Sequence, residues 1–258
     1  MVDWSAGSYE RTAAELEPVA SAVVERAAVR RGEVLVDVAC GTGNAALLAA
    51  ARGARAVGID GAARLIAVAR ERARTDNVEV DFRHGDLLDL PIGDDAADVV
   101  LSVFGVVFAT DPGAALNETA RVTRPGGRVL LTAWVPAGPI DSMLRAISRI
   151  MQDATGSSAP ERFPWFDGAR VGRLASEAGL TLESTTAAEL AIRDTSPEAY
   201  VAAGQEHPVA VSARPALERA GIEVEVEAAM TAVLSEANED ADAFLVHSPY
   251  VVHELRAA

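Results

Sequence analysis

Apolar residues recur at helical spacing over residues 9–29, where Leu16, Val19, Ala20, Val23, Val24 and Ala27 fall on one stripe. Pro18 lies inside this stretch, a position that can split it into two helices. Beyond it the period changes. Residues 34–39 form a short apolar run that reads as a buried strand, and residues 44–51 read as a helix. Strands are expected again at 56–59, 78–82 and 98–104, with helices at 62–74 and around 114–122. Pro125-Gly126-Gly127 predicts a sharp turn, and residues 128–135 predict a fifth strand after it. Short β-rich runs alternating with helices of about ten residues point to right-handed βαβ units on a parallel sheet.

The pattern loosens after residue 135. An amphipathic helix is expected at 140–155, then a loop at 156–168, GSSAPERFPWFDG, holding three aromatics. Residues 169–178 read as helix and 181–192 alternate like a strand. Residues 197–237 are mostly helical with breaks at Pro208 and Pro215, and 243–254 carry a last strand, FLVHSPYVVHE. No internal repeat or separate second domain is visible, so residues 1–258 read as one domain with two further strands and an inserted helical cap in its second half.

Composition narrows the partners. The net charge of −15 disfavours phosphate backbones and anionic membrane surfaces. The chain has no lysine: all 23 basic residues are arginine, which removes any mechanism that needs a lysine amine. Cys40 is the single cysteine, so no internal disulfide or cysteine cluster is possible. The first residues, MVDWSAGSYERTAAEL, lack the features of a signal peptide, and no run of about 18 apolar residues marks a membrane span. The expectation is a soluble, cytoplasmic protein.

The chemistry concentrates in VDVACGTGNAA, residues 36–46. It is a strand entering a glycine turn and then a helix, and Gly41-Thr42-Gly43-Asn44-Ala45-Ala46 fits G-x-G-x-x-G/A. Asp60 follows Gly41 by 19 residues, so a dinucleotide fingerprint is one reading. A P-loop is excluded because G-K-[ST] is absent. Three features favour a different ligand. Asp37, inside the strand, suits an ammonium group and would repel a pyrophosphate. Gly85-Asp86-Leu87 ends the third strand, where a carboxylate can accept from an exocyclic amine. Thr123-Arg124-Pro125-Gly126-Gly127-Arg128 precedes the fifth strand.

Together these motifs resemble the class I S-adenosylmethionine-dependent methyltransferases, in the small-molecule branch with an N-terminal helical lid. The resemblance covers residues 4–135 well and the remainder by element order. It implies an α/β, Rossmann-like doubly wound, mostly parallel seven-stranded sheet with helices on both faces and a helical cap. Residues 1–30 would be lid helices, 31–136 the cofactor-binding core, and 137–258 the substrate cap and last strands. It further implies S-adenosyl-L-methionine as cofactor. Asp37, Ala39, Gly41 and Gly43 would surround its methionine part, Asp60 with Gly61 its ribose, Gly85, Asp86 and Leu87 its adenine. The Ser102-Val103 backbone would lie beside the methionine, and Tyr9 would close over the cofactor or else merely pack its helix. Asp60 has a second reading as a helix cap, and Asp86 as a turn cap. Cys40 reads as a packing residue, and Asn44 as a cap or a lining of the helix start.

Methyl transfer from a sulfonium is an in-line displacement that needs alignment and exclusion of water more than a strong catalytic group. The end of the fourth strand lacks both the Asn/Asp-Pro-Pro-aromatic stretch of base and amide methyltransferases and the carboxylate of metal-assisted catechol enzymes. No metal is expected. The VFGVVF run, with Phe104 and Phe108, either lines an apolar acceptor pocket or is core. Trp134 ends the fifth strand, and the loop carrying Phe163, Trp165 and Phe166 either folds over it as a lid or forms a satellite cluster. Trp134 and Trp165 are therefore acceptor-binding candidates. Of the four histidines, His84 reads as a turn support and His207 as surface. His247 and His253 share one face of the last strand, with His247 the candidate general base. The acceptor would be a small molecule, lipid-like or polyketide-like, of secondary metabolism. Two alternatives stand: an NAD(P) oxidoreductase, opposed by Asp37 and by the missing lysine, and a cofactor-binding protein that transfers no methyl.

Overall fold

The computed structural model describes residues 2–156 and 162–258. Residues 157–161 of the expected 156–168 loop, and residue 1 of the expected lid, lie outside the described residues. The chain forms two compact units. The larger holds Glu10–Trp134, Phe163–Ala188 and Tyr250–Ala258; the smaller holds Met1–Tyr9, Val135–Arg162 and Glu189–Pro249.

The larger unit opens with α1 (Glu10–Arg26), whose Leu16, Val19, Ala20, Val23 and Val24 are buried. Then β1 (Val34–Val38) is aliphatic around a single acid and buried at four of five positions. Next come α2 (Asn44–Ala51), β2 (Arg55–Asp60), α3 (Ala63–Thr75), β3 (Val80–His84) and β4 (Ala97–Ser102). A 3-10 turn at Val106–Phe108 leads to α4 (Pro112–Val122) and β5 (Thr123–Trp134). After α5 (Gly138–Thr155) in the smaller unit, α6 (Gly168–Glu177) returns to the larger one, and β6 (Leu180–Asp194) follows. Aspartates start two of these helices. Asp111 accepts from the Ala114 N–H at α4, and Asp167 from the Ala169 and Arg170 N–H groups at α6. The remaining elements are α7 (Pro197–Gly204), α8 (Pro208–Ala220), α9 (Glu223–Glu236) and β7 (Phe244–Ala257).

One seven-stranded sheet runs β3-β2-β1-β4-β5-β7-β6. The pairs β1–β2, β1–β4, β2–β3 and β4–β5 are parallel, and β7 is antiparallel to β5. The strand order reverses between β1 and β4. Right-handed crossovers therefore put α2 and α3 on one face and α4 on the other. A crevice opens at the carboxyl ends of the strands at such a reversal, which is where ligands bind in open α/β sheets. Beneath α2 and α3, Cys40, Ala46, Leu47, Ile66, Ala69 and Phe82 form one buried cluster. Each large side chain there stabilises the fold by about 1.5–3 kcal/mol.

In the smaller unit α5 packs on α9, and α7 and α8 also touch α9. Among the described residues, no helix is long and apolar enough to cross a membrane.

The prolines act differently from expectation. Helix α1 runs unbroken through Pro18, and α8 through Pro215. An interior proline removes one hydrogen bond and costs about 3 kcal/mol, and in α1 a fully buried apolar stripe outweighs that. Of these three, Pro208 alone marks a boundary, as the first residue of α8 after a His207 cap. The Pro125-Gly126-Gly127 segment belongs to β5 itself, which begins at Thr123. The ladder to β4 slips there, pairing Ala97 with Thr123 and then Val99 with Arg128.

Candidate functional site

The site is built where β1 runs into α2. Gly43 takes φ 86, and a Cβ on it would lie 2.6 Å from the Phe82 ring, so both conformation and space require glycine. Ala39 also adopts a positive φ of 53. The first N–H groups of a helix have no partner within it. In α2 the Ala46 N–H is taken by Asp37 at 3.0 Å. The N–H groups of Asn44 and Ala45 start the helix at a glycine turn, with the positive end of its dipole. The turn is braced from behind. Arg72 of α3 donates to the Thr42 carbonyl (2.9 Å), the Thr42 hydroxyl (3.1 Å) and the Asn44 side-chain carbonyl (2.6 Å). Asn44 in turn donates its amide N–H to the Ala13 carbonyl of α1 at 2.6 Å. Asn44 thus joins α1 to the turn.

Two acids lie beneath it. Asp37 is buried, and burial pushes its carboxyl up to about 7; the Ala46 N–H opposes this and the neighbouring Asp60 adds to it. Among the described residues, no basic side chain is one of the groups that set its charge. Asp60 ends β2 and accepts from the Gly41 N–H and the Ala62 N–H, both at 2.8 Å. Burial raises its pKa too, against those two N–H groups and His84. Asp60 therefore ties the glycine turn to the turn that starts α3, with Gly61 between. At the end of β3, the Gly85 N–H bonds the Asp60 carbonyl, and His84 Nε2 sits 3.0 Å from the Gly61 carbonyl. His84 thus braces the Gly61 turn rather than the turn that follows it. Asp86 is exposed, accepts from the Leu88 N–H at 2.9 Å, and folds Leu87 into a tight turn.

The end of β4 closes on β1. The Ser102 hydroxyl donates to the Val38 carbonyl and accepts from the Val106 N–H, both at 2.9 Å. A Cβ on Gly105 would lie 2.5 Å from that of Ala39, so the two strand ends touch there. After Val103, Phe104 adopts φ 56, with its N–H held by Thr132 of β5 at 2.8 Å. Its ring lies parallel to Trp134, with centroids 4.0 Å apart and planes within 5°. Tyr250 of β7 stands edge-on to both, at 5.7 and 6.3 Å.

Most of the cofactor candidates named from the sequence thus converge on four neighbouring strand ends: Asp37, Ala39, Gly41, Gly43, Asp60, Gly61, Gly85, Asp86, Leu87, Ser102 and Val103. Phe104 and Trp134 meet one strand further along, while Phe108 is 40% exposed on the 3-10 turn. Tyr9 belongs to the smaller unit, where it groups with Trp4 and His207. His207 is half-buried at the surface, and burial lowers its pKa. Among the described residues, Phe163 and Trp165 match the satellite-cluster reading rather than the lid over Trp134. The Trp165 carbonyl accepts from His253 Nε2 at 2.7 Å, and His253 is three residues from Tyr250 on a regular strand, hence on the opposite face. Trp165 is buried there against Phe163. His253 also meets the Thr185 hydroxyl at 2.9 Å, and burial lowers its pKa. His247 lies in the smaller unit, with Nδ1 2.8 Å from Glu239. Cys40 packs in the core, its thiol pKa pushed up by burial. Tyr250, Thr132 and Arg72 were missed. Each lies in another element, and nothing local in sequence marks them.

Comparison with known proteins gives the same picture. A family model described as a methyltransferase domain matches residues 36–131. A demethylmenaquinone methyltransferase of Clavibacter sepedonicus is 32% identical over 171 residues, covering 62% of this chain and 69% of that one. An uncharacterized protein of Mycobacterium tuberculosis is 32% identical over 184 residues, 71% of this chain. The match spans only 65% of that relative's length. Among solved structures, the YcgJ protein of Bacillus subtilis superimposes with a TM-score of 0.62 at 18% identity, covering 92% of this chain and 97% of that one.

Proposed function

The chain belongs to the class I S-adenosylmethionine-dependent methyltransferase family, and from that premise we propose that it methylates a small-molecule acceptor. The observation that carries the reading is Asp37. A buried carboxylate with no basic side chain around it is costly, and a ligand ammonium group would satisfy it. A dinucleotide offers a pyrophosphate instead, which the same charge would repel.

The residues fit the cofactor. The glycine turn at Gly41–Gly43 leaves room for a ligand against bare backbone, with the amino end of α2 pointing the same way. Asp37 would hold the amino group. Asp60 uses each oxygen once and retains lone pairs for the ribose hydroxyls. Gly85, Asp86 and Leu87 would take the adenine, and the Ser102-Val103 backbone would border the methionine. When bound, S-adenosylmethionine supplies a methyl group on a cationic sulfur, already activated for transfer. The protein's task is then to align an acceptor and to exclude water. Phe104 and Trp134 supply an apolar wall for this. The demethylmenaquinone methyltransferase among the relatives supports a small apolar acceptor.

Isothermal titration with S-adenosylmethionine, S-adenosylhomocysteine and NAD, on wild type and Asp37→Asn, tests the reading. Both adenosyl compounds should bind and weaken in the variant. Binding of NAD alone would overturn it. Transfer of labelled methyl to product, against an intact cofactor methyl after turnover, separates transfer from a rearrangement that leaves the methyl in place.

A further inference from the structure

Trp134 is held more firmly than an exposed residue needs to be. It closes β5 at the carboxyl edge of the sheet, one ring face is covered by Phe104, and Tyr250 stands edge-on to it. Phe104 is itself fixed in the left-handed backbone region by the Thr132 hydroxyl, which is fully buried. A bulky residue pays for that conformation only where its surroundings dictate it. With one ring face covered and its edge flanked, Trp134 is still 37% exposed. A rigid, flat, partly exposed indole, backed by a parallel ring, is preorganised to extend the stack by one more layer.

We propose that Phe104, Trp134 and Tyr250 form a stacking platform for the acceptor, and that the acceptor presents a flat, conjugated ring. The proposal rests on the methyl-transfer reading for its word "acceptor" and narrows the substrate class of that site. A flexible aliphatic chain would gain from this surface only in proportion to area, and would not need a parallel, conformationally strained backing ring. A planar ring gains the stacking geometry as well. Tyr250, on the neighbouring strand, limits the platform on one side and so sets how far a fused ring can slide.

The test compares two probes with one carbon skeleton, 2-naphthol and decahydro-2-naphthol, by isothermal titration with and without S-adenosylhomocysteine. Wild type should bind the flat probe about three- to tenfold more tightly, the range that aromatic pairing adds beyond buried area. Trp134→Leu should erase that preference and Trp134→Phe should keep most of it. Affinity for S-adenosylhomocysteine should stay unchanged in both variants, which also verifies their fold. Equal binding of the two probes, a preference that survives Trp134→Leu, or tighter binding of tetramethylammonium than of 2-naphthol would each overturn the proposal. Failure of S-adenosylhomocysteine to bind wild type would count against the methyl-transfer reading instead, and the comparison of the two naphthols would still decide the platform.

Discussion

Replacing Asp37 by asparagine should stabilise the folded protein at neutral and alkaline pH while weakening its ligand. Asp37 is buried and its carboxyl is pushed from the ordinary 3.8 to about 7. The sign follows from proton counting. Between pH 4 and 7 the folded protein keeps a proton that the unfolded chain has released, so stability falls as pH rises through this window and levels above it. At 1.36 kcal/mol per pKa unit the full penalty is about 4 kcal/mol. Asparagine carries no charge to desolvate and keeps a carbonyl for the Ala46 N–H, which Asp37 now accepts at 3.0 Å. Its NH2 group needs a partner, and an unmet one costs about 1–3 kcal/mol. That cost does not depend on pH, so the pH difference is the cleaner quantity. The advantage of Asp37→Asn should grow by about 2–3 kcal/mol from pH 5 to pH 8. Urea unfolding of both proteins at the two pH values measures it, together with titration of S-adenosylhomocysteine. An advantage that does not change with pH, or a variant less stable at pH 8 than at pH 5 relative to wild type, would refute the account of Asp37 as a buried acid without a cationic partner.

Arg72→Met should loosen the glycine turn and weaken S-adenosylhomocysteine about tenfold, as expected for losing hydrogen bonds to a charged group. Amide hydrogen exchange should rise at Gly41–Asn44 while β4 and β5 stay protected, a pattern that general destabilisation would not give. His253 sits folded with its pKa lowered by burial. Its contribution to stability is therefore present above about pH 6.5 and lost as pH falls. His253→Gln should flatten the decline in stability from pH 7 to pH 5, as read by unfolding midpoints. Gly105→Ala should cost about 1–3 kcal/mol, because its new methyl would lie 2.5 Å from Ala39, and should lower cofactor affinity more than the equally buried Ala133→Gly.

Much of the sheet was legible because strand and helix periods alternate cleanly as far as Trp134. The boundary of β5 was not, since Pro125-Gly126-Gly127 has the composition of a turn yet forms a bulged strand entry. Pro18 and Pro215 misled for a related reason. Local propensity predicts a break, while burial of a whole helix face is decided by distant residues. The convergence of the glycine turn with the neighbouring strand ends was readable because its parts are short motifs. Asp37, Gly43 and Asp60 carry their meaning within a few residues. The aromatic group at Trp134 was not, because it is assembled across strands. Tyr250 reaches Phe104 and Trp134 only through the antiparallel pairing of β5 with β7. Sequence alone left Trp165 open between a lid and a satellite cluster, because the contact that anchors its loop, the Trp165 carbonyl on His253, is made far away in sequence.

The Phe82 ring has a consequence for how this sequence can change over time. It occupies the space that a methyl group would need at Gly43 and also at Gly58, each 2.6 Å away. Three positions on three elements are thereby locked into one inheritance. A lineage can enlarge Gly58 only after Phe82 has shrunk, and each step taken alone is harmful: the first leaves a void, the second a clash. Drift at these sites must therefore pass through paired substitutions, with Gly43 held back further by its backbone conformation. The glycine turn is thus guarded against change by a core side chain two strands away.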